Sequence, residues 1–217
     1  NLHTGLTINL DGIYRWVAFL PSRTDARIPI ANRYFGVFQS GEIKVRGLEA
    51  RRRDTPVWIA SVQKEMIALL GQARTKAELT DCIHNAFCFY YTALEKLEKN
   101  QVPVDQLVIN GKVSYALDAY KSSTASVRAA RQMEAAGIPI KPGMRIRFIY
   151  RKGEPDVFAW DLGKPVDPLE VNKPKYIELL AKAGSAVLAP FGISESLFRE
   201  WSENRSIQLK LPNGSLG

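Results

Sequence analysis

Two cysteines, two histidines and no Asp-x-Asp pattern occur in the 217 residues of this chain. Each scarcity excludes something. Cys82 and Cys88 fall in one predicted helix, whose rise separates their Cα atoms by about 9 Å, too far for a disulfide. They also point to different faces of that helix, which argues against a shared metal. They read as packed thiols in a reducing compartment. His3 and His84 stand apart from each other, and no Ser/His/Asp set, phosphate-binding P-loop or Rossmann glycine pattern is present. No apolar run reaches about 18 residues, so nothing is expected to span a membrane. The opening Asn-Leu-His-Thr-Gly has neither the basic nor the apolar region of a signal peptide. No initiator methionine is present, which fits a fragment or a processed chain. Acids are the minority charge, 22 against 30 Lys/Arg, and the net +8 favours a polyanionic partner.

What the chain does have begins with a hairpin from about Asn32 to Gly47. Gln39-Ser40-Gly41 supplies the turn, with Gly41 free to take positive φ. On its second strand Ile43 and Val45 share one face, and Glu42, Lys44 and Arg46 the other. The strand runs into Arg51-Arg52-Arg53-Asp54. Three consecutive guanidiniums need anionic or solvated partners, and a cation-lined ribbon suits the phosphate rails of a duplex.

Strands are expected at Leu6–Leu10 and Ile13–Leu20. Asp54-Thr55-Pro56 reads as a capping residue with proline in the first turn, opening a helix with an apolar stripe of Val57, Val62, Met66, Leu69 and Leu70 that ends at Gly71. Thr75-Lys76-Ala77-Glu78 matches a capping box and starts a helix to about Asn100. Its stripe of Leu79, Ile83, Phe87, Tyr90, Leu94 and Leu97 reads as core. Val104–Asn110 is a short strand or turn. A helix covers about Ser123–Ala136, closed by Gly137. Met144–Tyr150 and Val157–Trp160 form a strand pair, and Tyr176–Leu188 and Glu195–Asn204 are the last helices. Hydrophobic residues at 46% supply a sizeable core.

These segments carry a resemblance. The order Asn32-Arg33-Tyr34-Phe35-Gly36, then Lys44-Val45-Arg46-Gly47-Leu48-Glu49, then Arg52-Arg53-Asp54 resembles the segment that closes the palm of family B DNA polymerases. Gly111-Lys112-Val113-Ser114, Tyr120 and Ser126-Val127-Arg128-Ala129-Ala130 resemble thumb motifs of that family. So do Gly137, Pro142-Gly143 and Arg145-Ile146-Arg147-Phe148-Ile149-Tyr150. The resemblance is to the bacterial and archaeal branch that includes DNA polymerase II. It implies an α+β fold: a small antiparallel β remnant of a palm in residues 1–55, then a mainly helical thumb with a short β-hairpin in residues 56–205. Residues 206–217 are expected to form a flexible tail.

The family's catalytic aspartates would lie before residue 1. No catalytic, metal-ligating or cofactor-binding residue is therefore expected in this chain. Magnesium is implied only for the complete polymerase, and these residues alone are expected to be inactive. Tyr34 matches the tyrosine of the family's Lys-x-Tyr element, which grips the primer–template duplex from the minor groove. Asn32 stands in place of the lysine and offers a hydrogen bond but no charge. Arg33 lies between them. Glu49 matches a family glutamate suited to orienting a basic neighbour. Arg52 and Arg53 match a double arginine, implying primer-phosphate contact or a palm–thumb ion-pair network; Arg51 is extra. Lys112 matches a family lysine near primer phosphates, Tyr120 matches a family tyrosine, and Ser126 replaces a family histidine. Lys44, Arg46, Arg128, Arg145 and Arg147 complete the DNA-binding candidates.

Between Lys112 and Lys152 stand nine Lys/Arg and two acids, Asp118 and Glu134, so the charge is concentrated, as a duplex-gripping surface requires. Near the end, Gln208, Leu209 and Leu211 resemble a Gln-Leu-x-Leu sliding-clamp motif. The expected partners are double-stranded primer–template DNA, upstream polymerase domains on the same or a separate chain, and the clamp, with no membrane. The expected location is cytoplasmic, with the nucleoid. Two alternatives remain open: a non-catalytic DNA- or clamp-binding module from an inactivated polymerase relative, and an unrelated basic RNA-binding protein.

Overall fold

The computed structural model describes residues 10–22, 25 and 27–204. His3, the clamp-motif residues Gln208, Leu209 and Leu211, and all of the expected Leu6–Leu10 strand but Leu10 lie outside them. Leu10 is not in a strand.

Three antiparallel strands, β1 (Tyr14–Pro21), β2 (Pro29–Phe38) and β3 (Ile43–Arg46), form a first sheet in the order β1-β2-β3. The period-two alternation of side chains sets its faces. Phe35 lies opposite Ala18 and Val45, and these residues face the core. Tyr34 lies opposite Phe19 and Arg46, and Gly36 opposite Val17 and Lys44, on the other face. The expected division between Ile43/Val45 and Lys44/Arg46 is what the register shows. Gly41 closes the β2–β3 turn at φ +89°. Gly47, just past β3, has φ +70°, and a Cβ there would stand 2.3 Å from the Asn32 carbonyl oxygen. Only glycine lets the chain leave β3 so close to β2.

Five helices follow: α1 (Val57–Leu70), α2 (Lys76–Glu98), α3 (Ala125–Ala135), α4 (Lys173–Leu188) and α5 (Glu195–Asn204). Asp54 does not cap α1. Pro56 occupies the cap position without a side-chain bond, because the Asp54 carboxylate is taken by Arg52. Val57 is exposed rather than part of the buried stripe, and Leu69 is half-buried; Ile59 supplies the buried contact of the first turn. Gly71 ends α1 in a right-handed conformation. At α2, Thr75 Oγ1 accepts from the Glu78 amide at 3.2 Å. Glu78 reaches back one residue further than a capping box does, accepting from the Arg74 amide at 2.9 Å. The stripe Ile83, Phe87, Tyr90, Leu94 and Leu97 is buried, as expected of core.

A second antiparallel sheet has the order β4-β5-β6, from β4 (Ile109–Lys112), β5 (Arg145–Tyr150) and β6 (Val157–Ala159). The Val104–Asn110 segment splits into a 3-10 turn at Val104–Leu107 and the start of β4. One apolar cluster runs from Phe35 and Leu48 through Met66, Phe87 and Tyr90 to Ile146, Leu180 and Phe198. Phe35 meets Phe191 edge-on with ring centroids 6.3 Å apart, so the first sheet and the helices share that core. The whole is α+β, and among the described residues no helix is long and apolar enough to cross a membrane.

Candidate nucleic-acid interface

In β4 and β5 the ladder pairs Lys112 directly with Arg145. Like charges in direct cross-strand register repel, and neither side chain has an acidic partner among the described residues. Both line a cleft of about 490 Å³ together with Arg53, which arrives from the loop after the first sheet. Gly111 explains how a helix end reaches the same place. A Cβ at Gly111 would stand 2.5 Å from the Ser126 Cβ, so the bare strand lets the first turn of α3 press against it. Thr124 caps α3 without a side-chain bond, and its hydroxyl lies 3.2 Å from that of Ser126. The unpaired first-turn amides and two hydroxyls therefore border the cleft beside three cations.

The cleft continues along α1, where Arg53 and Arg145 are joined by Arg52, Ser61 and Lys64. Arg52 is engaged: its guanidinium donates to both Asp54 oxygens, at 2.9 and 2.6 Å. These bonds hold the Asp54 carboxyl below its ordinary value. Asp54 is the one carboxylate in the cleft lining, and Arg52 offsets it. Arg53, Lys64, Lys112 and Arg145 are left as cations without acidic partners among the described residues. The arrangement suits a chain of phosphates.

The remaining sequence-derived candidates are placed as follows. Arg51 and Arg46 are exposed, as is Asn32. Tyr34 sits on the outer face of the first sheet, 5.4 Å from Phe19 and 6.3 Å from Tyr14 between ring centroids. Burial, with help from the Tyr34 hydroxyl, pushes the Tyr14 phenol up to about 12. Lys44 bonds Asp11 at 2.6 Å. Arg33 donates to the Gly47 carbonyl at 3.1 Å and lies 3.9 Å from Glu49. Glu49 is buried and accepts from Gln63 at 3.0 Å. It orients basic and amide neighbours from inside, and is not part of the cleft lining. Tyr120 accepts from the amides of Ser114 and Tyr115, at 2.6 and 3.2 Å, fixing the loop after β4.

Arg128 and Arg147 are committed elsewhere. Arg128 donates to both oxygens of Asp156, at 2.7 and 2.6 Å. Arg147 donates to Asp161 at 2.6 Å, and Arg151 pairs with Glu170 at 3.4 Å. All three acids lie beyond the Lys112–Lys152 window, so the local excess of charge is smaller than the window implies. Ser126, in the first turn of α3, lines the cleft as the sequence suggested, whereas Lys64 and Thr124 are lining groups that sequence reasoning missed. The signal for Lys64 was there: Val57, Ala60, Ser61 and Lys64 recur at helical spacing after Pro56. Among the described residues no three His, Cys, Asp or Glu side chains come together as a metal site.

A family model described as DNA polymerase family B matches residues 31–183. The chain belongs to that family. It is 26% identical over 190 residues to "DNA polymerase 1" of Saccharolobus solfataricus, covering 87% of this chain and 20% of that protein. It is 29% identical over 195 residues to "DNA polymerase 2" of Aeropyrum pernix, covering 88% and 22%. Its fold is similar to that of the family B DNA polymerase of the hyperthermophilic archaeon Pyrobaculum calidifontis. That likeness has a TM-score of 0.60 at 20% identity and covers 87% of this chain and 23% of that one. The chain thus spans about a fifth of the length of these relatives.

Proposed function

We propose that this chain supplies the closing strands of a palm and the thumb of a DNA-directed DNA polymerase, and that it grips primer–template duplex by its phosphates. The observation that carries this reading is the Lys112–Arg145 cross-strand pair with Arg53 in the same cleft. Two cations held in register have an electrostatic cost, and a bound phosphate removes it. Hydroxyls and helix amides beside them add donors that read no base, as a polymerase needs. Tyr34 and Asn32 would meet the minor groove. In this reading the magnesium-dependent chemistry belongs to other polymerase domains and this part alone is inactive. The clamp would dock on Gln208, Leu209 and Leu211.

Titrating primer–template binding against salt tests the reading. Four free cations on phosphates give a log–log slope of about −3.6. Changing Arg53, Lys112 and Arg145 together to alanine should reduce that slope by about 2.7. An unchanged slope would refute the assignment. Asn32, which brings no charge where the family pattern has lysine, favours the second reading: a DNA-binding module from an inactivated relative. Primer extension by the complete polymerase distinguishes the two.

A further inference from the structure

Past the end of β4 the chain turns through residues 114–120 and leaves one aromatic ring standing on the surface. Val113 and Leu117 are buried on either side, and between them Tyr115 is 64% exposed. The segment that carries it is held in place. The Tyr120 hydroxyl accepts from the Ser114 amide at 2.6 Å and from the Tyr115 amide at 3.2 Å, and the half-buried Tyr120 ring packs against the core. A 3-10 turn at Leu117–Ala119 closes the segment. The rings of Tyr115 and Tyr120 meet at 68° with centroids 5.7 Å apart. An edge contact of this kind covers at most one face of the Tyr115 ring. The backbone under that ring is thus ordered before any ligand arrives, which lowers the cost of binding one.

Tyr115 follows Lys112 by three residues, so their Cα atoms lie within about 11 Å of each other. Lys112 lines the phosphate cleft with Arg53 and Arg145, and a strand whose phosphates lie there passes close to the ring. Lys112 and Lys121 flank the segment, both exposed, with Asp118 as the one acid between them in the sequence. Bases inside a duplex are stacked on one another and show only their edges. An unpaired base has a free π-face, and an aromatic ring beside a cationic track takes it up. We infer that Tyr115 is a base-stacking residue, which holds one unpaired nucleobase of a strand whose phosphates lie in the Lys112–Arg145–Arg53 cleft. Stacking tolerates any base, as phosphate contacts do. The inference rests on the phosphate-grip reading above and adds to it the form of DNA this surface prefers, a duplex with a strand that leaves the pairing.

The test uses the full chain and three duplexes of one sequence: blunt, with a 3′ overhang and with a 5′ overhang, each overhang carrying 2-aminopurine. Binding is followed by anisotropy and by 2-aminopurine fluorescence. The parent chain should bind one or both overhang duplexes at least about fivefold more tightly than the blunt one, and quench the 2-aminopurine. Tyr115 is exposed, so Tyr115→Ala should leave the thermal midpoint in place. That variant should lose the overhang preference and the quenching, with the salt slope unchanged because no phosphate contact is removed. Tyr115→Phe should keep both, and Tyr115→Leu should lose both, since only a ring stacks. Equal binding of all three duplexes by a parent chain with the expected slope would overturn this inference alone. Full overhang preference in Tyr115→Ala, or an equal loss of affinity for the blunt duplex, would do the same. Absence of salt-dependent binding to any duplex would remove the phosphate-grip reading and this inference with it.

Discussion

Lys112 of β4 and Arg145 of β5 are cross-strand partners, two cations in direct register on an exposed sheet surface. Neither is relieved by an acid among the described residues. In the DNA-free protein the pair is destabilising by about 0.5 kcal/mol. Lys112→Gln is therefore expected to raise stability slightly in urea unfolding, while lowering the salt slope of duplex binding by about 0.9. A variant that loses stability and keeps its DNA affinity would place Lys112 in the scaffold instead.

Arg128 and Arg147 provide the contrast. Each already holds a carboxylate, Asp156 or Asp161. Replacing either with alanine should cost about 1 kcal/mol of stability and leave the salt slope as it is. Parallel unfolding and fluorescence-anisotropy titrations check both halves of that statement.

Gln63 is fully buried on α1 and makes three hydrogen bonds to two separate parts of the chain. Its side-chain oxygen accepts from the Ala50 amide at 2.6 Å. Its amide donates to Glu49 at 3.0 Å and to the Ala183 carbonyl at 2.7 Å. Gln63→Ala would strand all three partners and should destabilise by about 3 kcal/mol. The loop bearing Arg51–Arg53 should loosen with it, visible as faster amide exchange at Ala50.

Gly47 and Gly41 both have positive φ, but only Gly47 faces a crowded site. Gly41→Ala should cost about 1 kcal/mol, from the backbone conformation alone. Gly47→Ala meets the Asn32 carbonyl as well and should cost more than about 2 kcal/mol. Equal thermal shifts in the two variants would remove the role given to close approach.

Hydrogen bonds from Arg52 keep Asp54 ionised to lower pH in the folded chain than in the unfolded one. The folded value being the lower, its contribution is complete above about pH 4 and is lost as pH falls through the folded value. Asp54→Asn should be less stable than the parent at neutral pH, with the gap closing below about pH 4. Urea midpoints across that range report it; a gap independent of pH would mean that the bond's geometry, not its charge, matters.

Local structure was readable from the sequence because it depends on neighbours. The Gln39–Gly41 turn, the Thr75 cap, the apolar stripe of α2 and the alternation in β3 each follow from backbone torsions and periodicity within a few residues. Asp54 was misassigned for the same reason. Its pattern suits a helix cap, but Arg52 competes for the same oxygens, and that outcome is decided by side-chain geometry. The Lys112–Lys152 charge count erred in a related way, since the acids that neutralise Arg128, Arg147 and Arg151 follow later in the chain.

Family membership, the two kinds of secondary structure and the surplus of positive charge were settled by the order of the residues alone. Which cations remain free was settled only by folding. Arg53 lines one cleft with Lys112 and Arg145 because the first sheet and the helices share one core and Gly111 admits the first turn of α3. Periodicity acts over a few residues, whereas a charge is cancelled or left exposed by whatever the completed packing brings within a few ångströms of it.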